Sequence, residues 1–175
     1  MGSEMCIRDR DNVANSDITA SGNISGVSTL TLADVGGTAT LSGDVDVTTL
    51  TVGNTVLNLA FTGNGSSVAN AVTFANDGTL TLGTSGGTQT YNGGLTETTT
   101  GTVTLNGTIA SSNDAISFGA VTLGSATTID TNSSDTTGDI TIGAVTGGSN
   151  SLTLSTGNNV ANTDISASGA ISGVT

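Results

Sequence analysis

The chain has no histidine, proline or tryptophan, and one cysteine. Cys6, both methionines (Met1 and Met5) and both cations (Arg8 and Arg10) lie within the first ten residues. From Asp11 to Thr175 there is no Lys, Arg, His, Cys, Met, Trp or Pro. Each absence excludes a chemistry. Without His, Cys or Lys there is no Ser-His-Asp arrangement, no thiol nucleophile, no Schiff-base lysine and no zinc or haem ligand set. Without Lys or Arg the phosphate contacts that dominate nucleic-acid binding are missing. Residues 11–175 keep twelve acids against no cation, so their net charge is still -12. Such a surface is repelled by anionic membranes, stays soluble and attracts divalent cations only loosely. Aromatics are limited to Phe61, Phe74, Tyr91 and Phe118, so neither a large globular core nor the aromatic platforms of sugar sites are signalled.

Residues 1–10, MGSEMCIRDR, match nothing that follows. They resemble the translated end of a transposase-type sequencing-library adaptor, and are set aside as a non-native segment before the fold is considered. The segment 11–175 carries the argument.

What is present is repetition. Residues 12–27 read NVANSDITASGNISGV and residues 159–174 read NVANTDISASGAISGV; thirteen of sixteen positions are identical at a constant shift of 147. A long repeat therefore spans 12–158 and the next begins at 159, the signature of a stacked, elongated architecture. Within it, hydroxyl–aliphatic–Thr–aliphatic bursts recur at 29–32, 49–52, 79–82, 102–105 and 151–154. Their period of two sends aliphatic side chains to one face and Thr to the other. Turn formers separate them, among them Gly36-Gly37, Gly63-Asn64-Gly65, Asn92-Gly93-Gly94 and Gly147-Gly148. β-branched residues favour strands, and runs of strong helix formers are missing.

A shorter period lies inside the long one. ISFGAVTLGS at 116–125 returns as ITIGAVTGGS at 140–149, shifted by 24, and Gly78-Thr-Leu-Thr-Leu returns at Gly101, shifted by 23. Thr128-Ile129 and Thr153-Leu154 extend that column from Thr104-Leu105 by shifts of 24 and 25. A period near 24 divides 147 into about six units, each the size of one solenoid coil with two or three short strands. The expectation is an all-β protein, a parallel β-helix of about seven coils of roughly 24 residues. An antiparallel sandwich of tandem modules and an open chain are the rivals; neither explains the inner period.

The stretch GDITIGAVTGGSNSLTLSTGNNV (138–160) and its neighbours resemble, in composition and rhythm, the large bacterial surface proteins of the filamentous haemagglutinin and autotransporter-adhesin type. The resemblance covers 11–175. It implies a right-handed parallel β-helix stalk, export to the extracellular surface, and a role in adhesion or surface architecture without catalysis. The implied partners are a host-cell, matrix or carbohydrate surface and neighbouring repeats of the same chain, with no nucleic acid and no membrane insertion of this segment.

Few residues offer chemistry. Asp44 and Asp46 share one face of a strand and form the one acid pair a glycoside hydrolase could use; a solvated pair is the simpler reading. Asp130, Asn132, Asp135 and Asp139 gather hard oxygens in a short polar segment and are the candidate calcium ligands. That segment lacks both the EF-hand and the Gly-Gly-X-Gly-X-Asp pattern, and no cofactor is otherwise indicated. Asp17 with Asp164, and Asn15 with Asn162, occupy equivalent repeat positions and read as corner hydrogen-bonding groups. Sequons at Asn23, Asn64, Asn106 and Asn132 are expected by chance in so Asn/Ser/Thr-rich a chain. Three functional classes follow: a structural or adhesive stalk, a carbohydrate-binding or carbohydrate-active β-helix, and a repeat face that binds calcium or, through Thr ladders, ice. Irregular Thr spacing in the sequence counts against ice.

Overall fold

A computed structural model describes residues 4–8, 16–132, 138–156 and 163–175. Every regular element in these residues is a strand. β1 (Glu4–Arg8), β2 (Ile18–Ala20), β3 (Thr29–Ala33), β4 (Val35–Leu41) and β5 (Asp46–Val47) open the chain. β6 (Thr49–Val52), β7 (Val56–Phe61), β8 (Ser67–Val68), β9 (Val72–Phe74) and β10 (Leu80–Leu82) follow. Next come β11 (Thr88–Tyr91), β12 (Leu95–Glu97), β13 (Val103–Ala110), β14 (Ile116–Phe118) and β15 (Val121–Asp130). β16 (Ile140–Ile142), β17 (Val145–Asn150), β18 (Leu152–Ser155), β19 (Ile165–Ala167) and β20 (Ile171–Val174) complete it.

The strands wind as a parallel β-solenoid of about seven turns. Each turn crosses three faces. Face A is the eight-stranded sheet β1-β3-β6-β9-β12-β14-β16-β19. Face B runs β2-β4-β7-β10 and continues through the first halves of β13 and β15 to β17 and β20. Face C runs β5-β8-β11 and continues through the second halves of β13 and β15 to β18. β13 and β15 thus bend around a corner. In β13 the bend is a register break between Leu105 and Gly107. Gly107 has φ +65°, and a Cβ there would lie 2.3 Å from the Thr84 carbonyl oxygen, so only glycine fits.

Alternation builds the core. Leu30, Leu50, Val72, Leu95, Ile116 and Ile140 form the inner column of face A, all at most 3 % exposed. Ala39, Leu59, Leu80, Val103, Val121 and Val145 form that of face B, all at most 4 % exposed. One turn cannot shelter its aliphatic face; stacked turns make the core continuous, and one cluster runs from Ile24 to Val145. Three of the four aromatics meet in it: Tyr91 packs edge-on against Phe61 and Phe74, with ring centroids 6.4 and 5.7 Å apart.

The three-strand turn settles the number of strands per coil. Registers at 116/140, 121/145, 80/103 and 128/153 fall where the sequence places them. Two readings are corrected. Thr128 does not continue the column of Thr104: Thr104 pairs with Thr122 on face B, and Thr128 pairs with Thr108 on face C. Both strands alternate Thr with an aliphatic, so sequence alone joins them across a corner. The pitch also varies, from 18 residues (Val103 to Val121) to 26 (Val145 to Ile171). In consequence the 147-residue shift is not six turns. Ile18 reaches Val145 in six steps along face B, and Ile165 lies two faces further on, in face A.

β1 lies in the adaptor-like segment and pairs in parallel with β3, Glu4 opposite Thr29 through Arg8 opposite Ala33. An open sheet edge recruits any extended strand, so this pairing carries no information about origin.

Candidate functional surface: hydroxyl ladders and acidic corners

Outward positions stack as regularly as inward ones. On face A the register aligns Thr31, Thr51, Thr73, Thr96, Ser117, Thr141 and Ser166 in one column of hydroxyls. On face B the column is Thr19, Thr40, Ala60, Thr81, Thr104, Thr122, Thr146 and Ser172. Only Ala60 lacks an oxygen. Rungs of adjacent parallel strands lie roughly 4.8 Å apart, so each face presents a line of donors and acceptors. The irregular Thr spacing of the sequence is a consequence of unequal corners, and disappears once residues are placed in register.

Several of the acids lie at corners, where carboxylates and carboxamides tie one turn to the next. Asp17 Oδ1 accepts the Thr38 N–H at 2.8 Å, Asn23 Oδ1 the Asp44 N–H at 3.0 Å and Asp44 Oδ1 the Gly65 N–H at 2.7 Å. Asn58 Oδ1 accepts both the N–H and the hydroxyl of Thr79, each at 2.9 Å. Asp139 Oδ1 accepts the Asp164 N–H at 3.0 Å. A charged acceptor on a backbone N–H is among the stronger protein hydrogen bonds, and it satisfies donors that leave the ladder where the chain turns.

These bonds decide the candidate residues. Asp17 fills the corner role read from the sequence; its repeat mate Asp164 donates its N–H to Asp139. Asn15 and Asn162 lie outside the described residues. Asp44 and Asp46 flank buried Val45 and so share the outer surface. One carboxylate is bound to Gly65, and the other lines a shallow hollow with Val27, Val47, Thr48, Ser67 and Ala69. In the calcium segment, Asp130 Oδ1 accepts the Asn132 N–H at 2.9 Å while Asp139 points to the following turn; Asp135 lies outside the described residues. Among the described residues no three His, Cys, Asp or Glu side chains gather as a cation site. Of the sequon asparagines, Asn23 is a corner acceptor and Asn106 Nδ2 donates to the Leu82 carbonyl at 3.4 Å.

Among the buried polar side chains that sequence reasoning did not single out, three carry an amide or a carboxylate. Gln89 donates to the carbonyls of Phe61 and Gly63 at 2.9 and 3.2 Å and accepts the Tyr91 hydroxyl at 3.0 Å. Asn76 donates to the Thr79 carbonyl at 2.9 Å and accepts the Thr99 hydroxyl at 3.2 Å. Glu97 takes an inward place opposite Phe74, with its carboxylate on the N–H groups of Gly119 and Thr99. Gln89 shares strand parity with Tyr91, the one signal that would have placed it inside. Burial raises the Tyr91 phenol well above its ordinary value. Among the described residues no buried side-chain nitrogen or oxygen lacks a partner.

The class defined is an acidic, three-faced β-solenoid with hydroxyl-lined sides. Comparison with protein-family models, with curated proteins and with solved structures finds no match. Among the described residues no helix is long and apolar enough to cross a membrane.

Proposed function

We propose that this segment is the repeat stalk of an exported bacterial surface protein, structural and adhesive, without catalysis. The observation that supports it best is the pair of end-to-end hydroxyl columns over one unbroken core. A stack of equivalent turns holds whatever it carries at a fixed distance, because each turn contacts only its neighbours. Its sides offer a repeated line of hydroxyls, suited to many weak, simultaneous hydrogen bonds with a carbohydrate or matrix surface. The acids support this reading rather than catalysis, since Asp17, Asp44, Asp139 and Glu97 are bonded to backbone N–H groups. The stalk lies outside the cell and stacks on further repeats of its own chain.

The test is attachment. The purified chain is applied to immobilised polysaccharide, matrix protein and fixed cells, beside a variant carrying Thr51→Lys, Thr73→Lys, Thr96→Lys and Thr141→Lys. The expected result is salt-tolerant retention of the parent on one of these surfaces, and at least a tenfold loss in a variant of unchanged β-type circular dichroism. Equal retention of both proteins, or of neither, rejects the adhesive role.

A further inference from the structure

Nearly the same sequence occurs at residues 12–27 and 159–174, and the structure treats the two copies differently. In the first copy Ile18 pairs with Ala39 and Ile24 with Val45, so residues 35–47 cover it. Ile24 is 8 % exposed. In the second copy the equivalent residues, Ile165 and Ile171, are 48 % and 43 % exposed, and Val174 is 39 % exposed. β19 and β20 each pair on one side only, with β16 and β17. Of the four large exposed hydrophobics among the described residues, three lie on this end; the fourth, Leu57, stands alone. The first copy shows what covers such a surface: the stretch of sequence that follows it in the repeat.

The phase differs too. Ile18 lies on face B and Ile24 on face C, whereas Ile165 lies on face A and Ile171 on face B. The 147-residue shift thus spans six and two-thirds turns, about 22 residues per turn. Nothing in Ile-Thr-Ala or Ile-Ser-Ala marks a face: aliphatic in, hydroxyl out suits all three.

We propose that the β18-β19-β20 end seats a further copy of the Thr29–Val52 sequence, and that each successive repeat is turned about the axis by one face. Copies of residues 29–33 then lie on face C against β18, where the originals lie on face A. Copies of residues 39–41 lie on β19, preserving the pairing that Ile18 makes with Ala39. Three repeats make twenty turns, roughly 96 Å at the strand spacing, and return the pattern to its starting face. A strip recognised by a partner is therefore displayed in all three directions around the rod. The proposal rests on the stacking part of the proposed function and is independent of its adhesive part.

Two experiments test it, both in a Cys6→Ser background. In the first, the chain is extended beyond Thr175 by a copy of Thr29–Val52, or by the same residues scrambled. The ordered copy is expected to raise the thermal midpoint by about 4 °C or more, with the protein still monomeric. No difference from the scrambled extension, or dimerisation through the added segment, overturns the seating. In the second, cysteine pairs report the face, since in-register neighbours lie within disulfide reach. Ser166→Cys with Thr141→Cys is expected to cross-link, and Ser166→Cys with Thr146→Cys is not. In the extended chain, Thr153→Cys is expected to link to a cysteine at the appended copy of Thr31. Linking of Ser166→Cys to Thr146→Cys overturns the rotation and leaves both the seating and the adhesive reading standing.

Discussion

The first three turns and the last three solve the same packing problem by different means. From Asp17 to Thr79 the pitch is nearly constant, and polar side chains bridge turns at a separation of 21 residues: Asp17 to Thr38, Asn23 to Asp44, Asp44 to Gly65 and Asn58 to Thr79. Beyond Leu80 the pitch runs from 18 to 26, and the breaks in register at Leu105/Gly107 and Thr146/Asn150 each shift it by two residues, against one residue at Val35/Thr38 in the first region. Equal turns let one side chain at each corner serve the next turn in the same way. Unequal turns keep the strands in register and move the irregularity to the corners, where loops tolerate it. The inner columns therefore continue across both regions, while the corner bonds lose their constant separation, as at Asp139 and Asp164, 25 residues apart.

Substitutions can break this contrast or sharpen it. The largest effect is expected from Leu41→Asp, which places a charge at a fully buried site. It should cost more than about 4 kcal/mol and abolish the cooperative denaturant transition. Leu154→Asp, at a half-buried position near the open end, should leave a measurable transition. Gly107→Ala comes next, at about 2–3 kcal/mol, because it combines positive φ with overlap on a carbonyl. Gly86→Ala has a similar φ (+75°) with open space around it and should cost about 1 kcal/mol. Equal losses in the two would show that overlap at the corner is immaterial.

Tyr91 joins the two regions and gives a pH test. Its phenol is raised in the folded state, so the unfolded chain releases that proton first. Its contribution is complete below about pH 10, then declines as pH rises toward the folded value, by about 1.4 kcal/mol per pH unit. A urea midpoint that falls above pH 10, with absorbance showing phenolate only on unfolding, is the expected result. Free titration of the single tyrosine in the folded protein would refute the burial. The smallest effects are those of Asp44→Ala and Asp139→Ala. Losing one partly exposed cross-turn bond should cost about 1 kcal/mol, and Asp139→Ala should lower the melting temperature by less.

The strands were legible because each is a two-residue alternation that only one face can bury. The period near 24 was legible where whole strings recur, as at Ile116 and Ile140. The 21-residue pitch was not, because its marks are single polar residues such as Asn23, Asp44 and Gly65, lost among many similar ones. Thr104 and Thr128 were joined wrongly because a turn can be shortened at a corner without disturbing either strand. Gln89, Asn76 and Glu97 were not singled out in the sequence; each is buried by bonds to backbone groups that only the stacked turns bring near. The hydroxyl columns were visible as composition and became a surface only in register.

The backbone hydrogen bonds of this fold run along the rod, from each turn to the next. A load applied through the chain ends therefore strips them one after another rather than shearing a whole sheet at once. Each 21-residue turn released would lengthen the chain by roughly 70 Å at full extension, at nearly constant force where the turns are equal. Under tension such a rod behaves as an extensible tether, giving way a turn at a time and rewinding from the turns that remain.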